Sequence, residues 1–192
     1  RPVIGRSEVE VVIRIGSQAE LLRGLESLAF DLVLTTVAPP RERGSRLVVH
    51  RLAEMRASLV GTPERLGSAV PPLETLLSRE PLVLPTPETA LRTAFDALLA
   101  RLAIRPAIAA EVEDMATMRL LARADVGLAL LPPVVVRDEL ARGELVEARA
   151  LPEIVETFWA VELGRRFASP LVRELLAGAG GAVAAPAQPA RL

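Results

Sequence analysis

The sequence predicts an α/β fold of two Rossmann-like lobes joined by two crossovers. Short apolar runs ending in turn residues alternate with segments of helical periodicity, the pattern of a mostly parallel sheet with helices on both faces. The alternation breaks between Ala38 and Pro72, and a longer apolar stretch returns around Phe158, so the chain is expected to cross twice between lobes. On this reading lobe I comprises residues 1–54 completed by 157–176, lobe II comprises 55–156, and 177–192 form a flexible tail.

The elements follow in order. Val9, Val11, Ile13 and Ile15 alternate with Glu10, Val12 and Arg14, as in a strand with one buried face. Ser17 and Glu20 form a capping box, after which Leu21, Leu22, Leu25 and Leu28 share a helical face. Phe30-Asp31-Leu32-Val33-Leu34 is the apolar run of a parallel strand covered on both sides, and Thr35-Thr36 ends it. A turn-rich segment, 39–44, leads to two extended stretches, 46–52 and 56–61, with Leu47, Val49, Leu59 and Val60 as core candidates.

After Pro71-Pro72 come a short helix carrying Leu73, Leu76 and Leu77 and the strand Leu82-Val83-Leu84. Thr86 and Pro87 are expected as N-cap and first residue of a helix whose face is Leu91, Phe95, Leu98, Leu99 and Leu102. A strand is predicted over 107–112, a helix capped by Asp114 that carries Met118 and Leu121, and a buried strand over 126–131. Pro132-Pro133 opens a helix that Gly143 closes; Leu145-Val146 is a short strand and 154–163 a longer one. Ser169-Pro170 starts a helix with Leu171, Val172, Leu175 and Leu176, and from Gly178 the composition offers little to bury.

Composition excludes several chemistries. The absence of cysteine removes disulfide scaffolds, thiol nucleophiles and thiolate zinc sites, and the single histidine, His50, removes sites built on several imidazoles. A chain of 192 residues buries roughly 70% of its unfolded surface and needs no metal to fold. A net charge of −1 gives no footprint for nucleic acid. Every basic residue apart from His50 is arginine, which reflects base composition rather than phosphate recognition. No apolar run approaches the ~20 residues of a membrane span, and the first residues do not form a signal peptide, so a cytoplasmic location without membrane contact is expected.

No Gly-x-Ser-x-Gly elbow or phosphate-binding glycine motif occurs, so no enzyme activity and no cofactor are expected. His50 reads as a satisfied or surface histidine, and Glu111, Glu113 and Asp114 as a strand end with a helix cap. What remains are loops at the carboxyl ends of strands, where open parallel sheets bind ligands: Gly16-Ser17, Thr35-Thr36, 85–89, 113–115 and Pro132-Pro133. Their threonine hydroxyls and free amides suit a small polar molecule, although serine and threonine also occur there simply as caps.

The ordered motifs resemble the effector-binding domain of LysR-type transcriptional regulators. They are Glu20-Leu21-Leu22-Arg23-Gly24-Leu25 leading into Phe30 to Leu34, then Ala124-Asp125-Val126-Gly127-Leu128-Ala129-Leu130-Leu131-Pro132, and last Ala168-Ser169-Pro170-Leu171-Val172. Pro85-Thr86-Pro87-Glu88-Thr89-Ala90-Leu91-Arg92 further resembles the sodium/proton antiporter regulator branch. The resemblance implies a type 2 periplasmic-binding-protein-like fold with a small-molecule or ion inducer in an interlobe cleft. It also implies a homodimer or tetramer that contacts DNA only through a winged helix-turn-helix placed ahead of this domain.

The sequence opens just before what resembles the second strand, so the first strand and helix of lobe I are expected to be missing. The absent strand would lie between those at 9–15 and 32–35. Carried across, Thr36 lines one side of the cleft, Thr86, Glu88 and Thr89 the other, and Met115 and Pro132 match wall positions. Glu88, Glu113 and Asp114 favour a cationic or neutral polar effector unless arginines such as Arg92 or Arg119 pair with them. A solute-binding protein of a transporter is the alternative function.

Overall fold

The computed structural model describes residues 5–40, 44–67, 70–164 and 169–182. Residues 41–43 of the turn-rich segment, Ala168 of the third motif and 183–192 of the expected tail lie outside them. The chain divides into two compact units, Met55–Glu156 and a smaller unit from the segments that flank it.

In the larger unit the fully apolar runs become the central strands. These are β3 (Leu82–Pro85) and β5 (Leu128–Leu131), with every residue of both buried. β5 and β4 (Ile108–Val112) run parallel on either side of β3, and the distal end of β2 (Leu47–Gly61) pairs antiparallel with β5. The strand order here is β2-β5-β3-β4.

Strand alternation sends Leu59, Leu82, Leu84, Leu128 and Leu130 to one face, where α3 (Leu73–Arg79) and α4 (Ala90–Leu102) supply Leu76, Leu77, Leu91, Phe95, Leu98 and Leu99. Val60, Val83, Ala129 and Leu131 point the other way onto Met118 and Ala122 of α5 (Met115–Arg123) and onto Val136 and Leu145. Both faces are therefore covered, which is why the sequence of these strands is continuously apolar.

A four-residue helix, α2 (Pro63–Leu66), was not legible beforehand; Thr62 caps it. The Thr62 hydroxyl also donates to Asp125 Oδ1 at 2.7 Å, and Arg65 Nε donates to the same oxygen at 2.8 Å. Thr62 first, then Arg65, holds the Asp125 carboxyl below the ordinary carboxylate range. A folded-state pKa below the unfolded value near ~4 means that this contribution is present above that value and lost as pH falls through the folded value. Asp125→Asn is therefore expected to flatten the acid limb of a stability-versus-pH curve below about pH 4. Urea melts across that range check it.

The smaller unit joins α1 (Gln18–Glu26), β1 (Val33–Thr35), the first part of β2, the last part of β6 (Val146–Leu163) and α7 (Pro170–Ala182), with strand order β1-β6-β2. The predicted capping box is formed: Glu20 N and Ser17 Oγ are in contact at 3.4 Å, and Ser17 N donates to Glu20 Oε2 at 3.0 Å. Leu25, Val33, Val161 and Leu163 make its core, with Leu21, Leu22, Leu47 and Val49 packed against them.

Several expectations are corrected. Residues 9–15 form no strand: they belong to no ladder, and Ile13 and Ile15 are 79% and 96% exposed. Alternation signals a face to be buried, but a strand also needs a partner for its backbone, and none is present among the described residues. Residues 9–15 and β1 are accordingly not paired with each other. β1 runs antiparallel to β6 rather than in a parallel sheet, and Leu34 is exposed.

Leu28 leaves the helical face because the chain has already turned through φ 65° after α1. The two stretches at 46–52 and 56–61 are one strand, β2, and those at 145–146 and 154–163 are one strand, β6. The helix expected from Pro132-Pro133 is a 3-10 turn, Pro133–Val136, followed by α6 (Arg137–Arg142), which Gly143 closes at φ 72°. α7 runs on through Gly178 to Ala182, into residues assigned to the tail.

Candidate functional site

Because β3, β4 and β5 are parallel, their carboxyl ends share one edge of the larger unit. β3 passes through residues 86–89 into α4, β4 through 113–114 into α5, and β5 through Pro132 into the 3-10 turn. Thr86, Glu88, Thr89, Met115 and Pro132 are thus brought to a single edge, the place where open α/β sheets bind ligands. Thr36 follows β1 in the smaller unit and is half-buried there.

The loop after β3 is a hydrogen-bonded turn. Thr86 N donates to Val112 O at 3.2 Å, Thr89 N and Oγ1 donate to Thr86 O at 3.2 and 3.1 Å, and Arg92 N donates to Thr89 Oγ1 at 3.1 Å. Thr89, not Thr86, is therefore the N-cap, and α4 begins at Ala90 rather than at Pro87. Thr86 had looked like the cap because proline follows it, but its carbonyl closes the turn over Pro87 and Glu88 instead. One threonine is consumed by folding the loop, and the half-buried Thr86 keeps a hydroxyl without a partner among the described residues.

The smaller unit repeats this division of labour. Thr35 Oγ1 accepts from Val37 N and donates to Val37 O, both at 3.2 Å, whereas the Thr36 hydroxyl bonds to nothing among the described residues.

Charge at the edge is set by where the arginines go. Arg92, buried to 7% exposure, donates from Nη1 to Pro85 O at 2.9 Å and to Glu111 Oε1 at 2.6 Å, and from Nε to Asp96 Oδ1 at 2.9 Å. Burial works against its charge, but Glu111 and Asp96 outweigh that and raise its pKa. Arg119 Nε donates to Glu139 Oε1 at 2.7 Å, tying α5 to α6. Glu139 is fully buried; burial opposes its charge, yet Arg119 holds the carboxyl below its ordinary range.

Neither arginine therefore serves the carboxylates at the mouth of the edge. Glu88 and Glu113 are exposed and form no ion pair among the described residues, and Asp114 caps α5 through Thr117 N at 2.7 Å; the Thr117 side chain first, and then that backbone bond, hold its carboxyl below the ordinary range. Among the described residues, this edge therefore carries two carboxylates without an ion-pair partner, Glu88 and Glu113, and a Thr86 hydroxyl without a hydrogen-bond partner.

His50 Nε2 lies 2.8 Å from Glu162 Oε1 in the smaller unit, the satisfied histidine expected from sequence. Among the described residues no group of three or more His, Asp or Glu side chains is arranged to hold a metal, and no helix is long and apolar enough to cross a membrane.

Comparison with known proteins bears on this geometry. The family model of the LysR substrate-binding domain matches residues 6–181. No curated protein matches the chain. Among solved structures, it is similar to the apo regulatory domain of HypT from Salmonella typhimurium, at 17% identity and a TM-score of 0.68 over 93% of this chain and 86% of that one.

The effector-binding domain of QuiR, solved in complex with shikimate, gives 19% identity and a TM-score of 0.57 over 85% and 77% of the two chains. HinK, a LysR-family transcriptional regulator from Pseudomonas aeruginosa, gives 22% and 0.64, with 86% of this chain covered. At these identities the likeness is one of fold. The chain spans 58% of HinK and 59% of full-length HypT.

Proposed function

Because this chain belongs to the LysR substrate-binding domain family, we propose that it is the effector-sensing domain of a LysR-type transcriptional regulator, taking a cationic or neutral polar effector at the carboxyl edge of β3, β4 and β5. One observation carries the choice of ligand: at this edge the Thr86 hydroxyl, Glu88 and Glu113 have no partner among the described residues, while the Arg92 guanidinium is spent on Pro85, Glu111 and Asp96. Helix N-termini favour anions by about 0.3–1 kcal/mol each when exposed, which full carboxylate charges at similar range exceed.

Thr86 bonds the effector, Glu88 sets its charge preference, Thr89 holds the loop, and Met115 and Pro132 form the wall. In the smaller unit, the Thr36 hydroxyl is the side chain offered to a polar ligand. A bound effector shifts the balance between arrangements of a homodimer or tetramer, and so acts on a winged helix-turn-helix that alone touches DNA. The protein works in the cytoplasm, without catalysis and without membrane contact. The segment from Pro85 to Arg92 supports a place near the sodium/proton antiporter regulators.

Calorimetric titration of a panel tests the reading: small ammonium and guanidinium compounds and uncharged hydroxylated compounds, with shikimate as the carboxylate reference. The tightest binder is expected among the first three groups, with affinity for the cations falling as salt rises. A carboxylate that binds tightest overturns the charge assignment.

A further inference from the structure

Among the described residues, Glu139 Oε2 is the one buried side-chain oxygen or nitrogen without a hydrogen-bond partner. Glu139 is fully buried on α6, and Arg119 of α5 meets only its other oxygen, Oε1, with Nε at 2.7 Å and Nη2 at 2.5 Å. Arg123 Nη1 and Arg142 Nη2 stand off at 4.0 and 3.9 Å from the same oxygen, and both arginines also pair with Glu144. Stability alone does not call for such a pair, because apolar side chains of similar volume in place of a buried ion pair are often neutral or stabilising. What the pair adds is direction.

α5 is anchored in the core by Met118 and Ala122, and of residues 115–118 only Met118 is buried. Those two anchors lie four residues apart, along one line of the helix, and apolar contacts have no preferred direction, so packing leaves the helix free to roll about that line. Met115 and Arg119 are also four apart and share the neighbouring face. Directed bonds from Arg119 to a carboxylate on another element therefore fix the roll, and with it the aim of Met115. That other element is α6, which follows directly on the 3-10 turn after Pro132.

We propose that Glu139 is a positioning residue of the effector edge: through Arg119 it sets the roll of α5 and holds Met115 in place against Pro132. The proposal rests on the effector reading of that edge. Glu139 touches no ligand, and its buried carboxylate is the fixed post to which one wall is tied.

Two variants and two readouts test it. Arg119→Leu/Glu139→Leu removes both charges together, so no buried carboxylate is left unpaired, and it is expected to melt at or above the wild-type temperature. Arg119→Lys keeps the charge but replaces a rigid fork with one freely rotating ammonium, and serves as the second variant if the first fails to fold. The chain has three methionines, Met55, Met115 and Met118, so methyl-labelled methionine gives one NMR signal for each without any ligand. In both variants the Met115 methyl signal is expected to shift and broaden while that of Met55 stays in place. Calorimetric titration with methylguanidinium, from the guanidinium group of the panel, should show affinity reduced about tenfold in the double variant despite its retained stability. A purely structural ion pair predicts wild-type affinity in a variant of wild-type stability. A Met115 signal unchanged in both variants overturns the proposal, as does wild-type affinity in both. If no compound of the panel binds the wild type, the effector reading fails, and the Met115 signal still decides whether Glu139 sets the roll of α5.

Discussion

Gly127→Ala is expected to destabilise the larger unit by about 3 kcal/mol or more. A Cβ at Gly127 would lie 2.4 Å from Pro81 O and 2.9 Å from Pro81 C, and both obstacles are backbone. They cannot rotate aside, because Leu128 N donates to that same carbonyl at 2.8 Å and so sets the register of β5 on β3. Relief of the clash would mean drawing the two central strands apart. Gly143→Ala is the control: it sits at φ 72° with open space around it, so only the left-handed conformation is penalised, by about 1 kcal/mol. Urea denaturation of both variants measures the contrast, and equal losses would refute the close-approach explanation.

The second large effect concerns Arg92. Arg92→Met is expected to cost roughly 2–3 kcal/mol, because hydrogen bonds to charged groups contribute about that much and the Pro85 carbonyl would lose its guanidinium donor. A lysine at this position would recover only part, since an ammonium cannot span Pro85 O, Glu111 and Asp96 at once. The variant should also bind the effector differently from a merely destabilised protein. Freed from Arg92, Glu111 adds a further negative charge at the edge, so the preference for cations should strengthen while overall stability falls. Melts give the first quantity and titration with a guanidinium compound the second.

Much of the larger unit could be read from the sequence because its signals are local. The runs at 82–84 and 128–131 are apolar throughout since both faces are covered, and Asp114 and the Ser17–Glu20 box announce their helices through chemistry within one turn. Gly127 lies in the motif that carried the family resemblance, and its role becomes visible only when Pro81 is brought beside it.

Signals that depend on distant partners were not legible. Residues 9–15 carry strand alternation without a strand, since a ladder is made by two segments and a pattern by one. β2 and β6 looked like pairs of shorter strands because their middles, around Glu54 and Pro152, lose the alternation while the backbone continues. At the candidate site the threonines and acidic residues were visible, but not which threonine folds the loop. Asp96 lies four residues from Arg92 and could be guessed; Glu111, nineteen residues away, meets it only through the pairing of β3 with β4.

The central claim is that the carboxyl edge of β3, β4 and β5 is the effector site and that its charge comes from Glu88. The measurement that bears on it most directly is calorimetric titration of the tightest panel ligand into wild type, Thr86→Val and Glu88→Gln. Loss of the Thr86 hydroxyl is expected to weaken binding about tenfold, as for one hydrogen bond, and Glu88→Gln to weaken a cation more than a neutral ligand, with melting temperatures unchanged. Unchanged affinity in both variants would contradict the account.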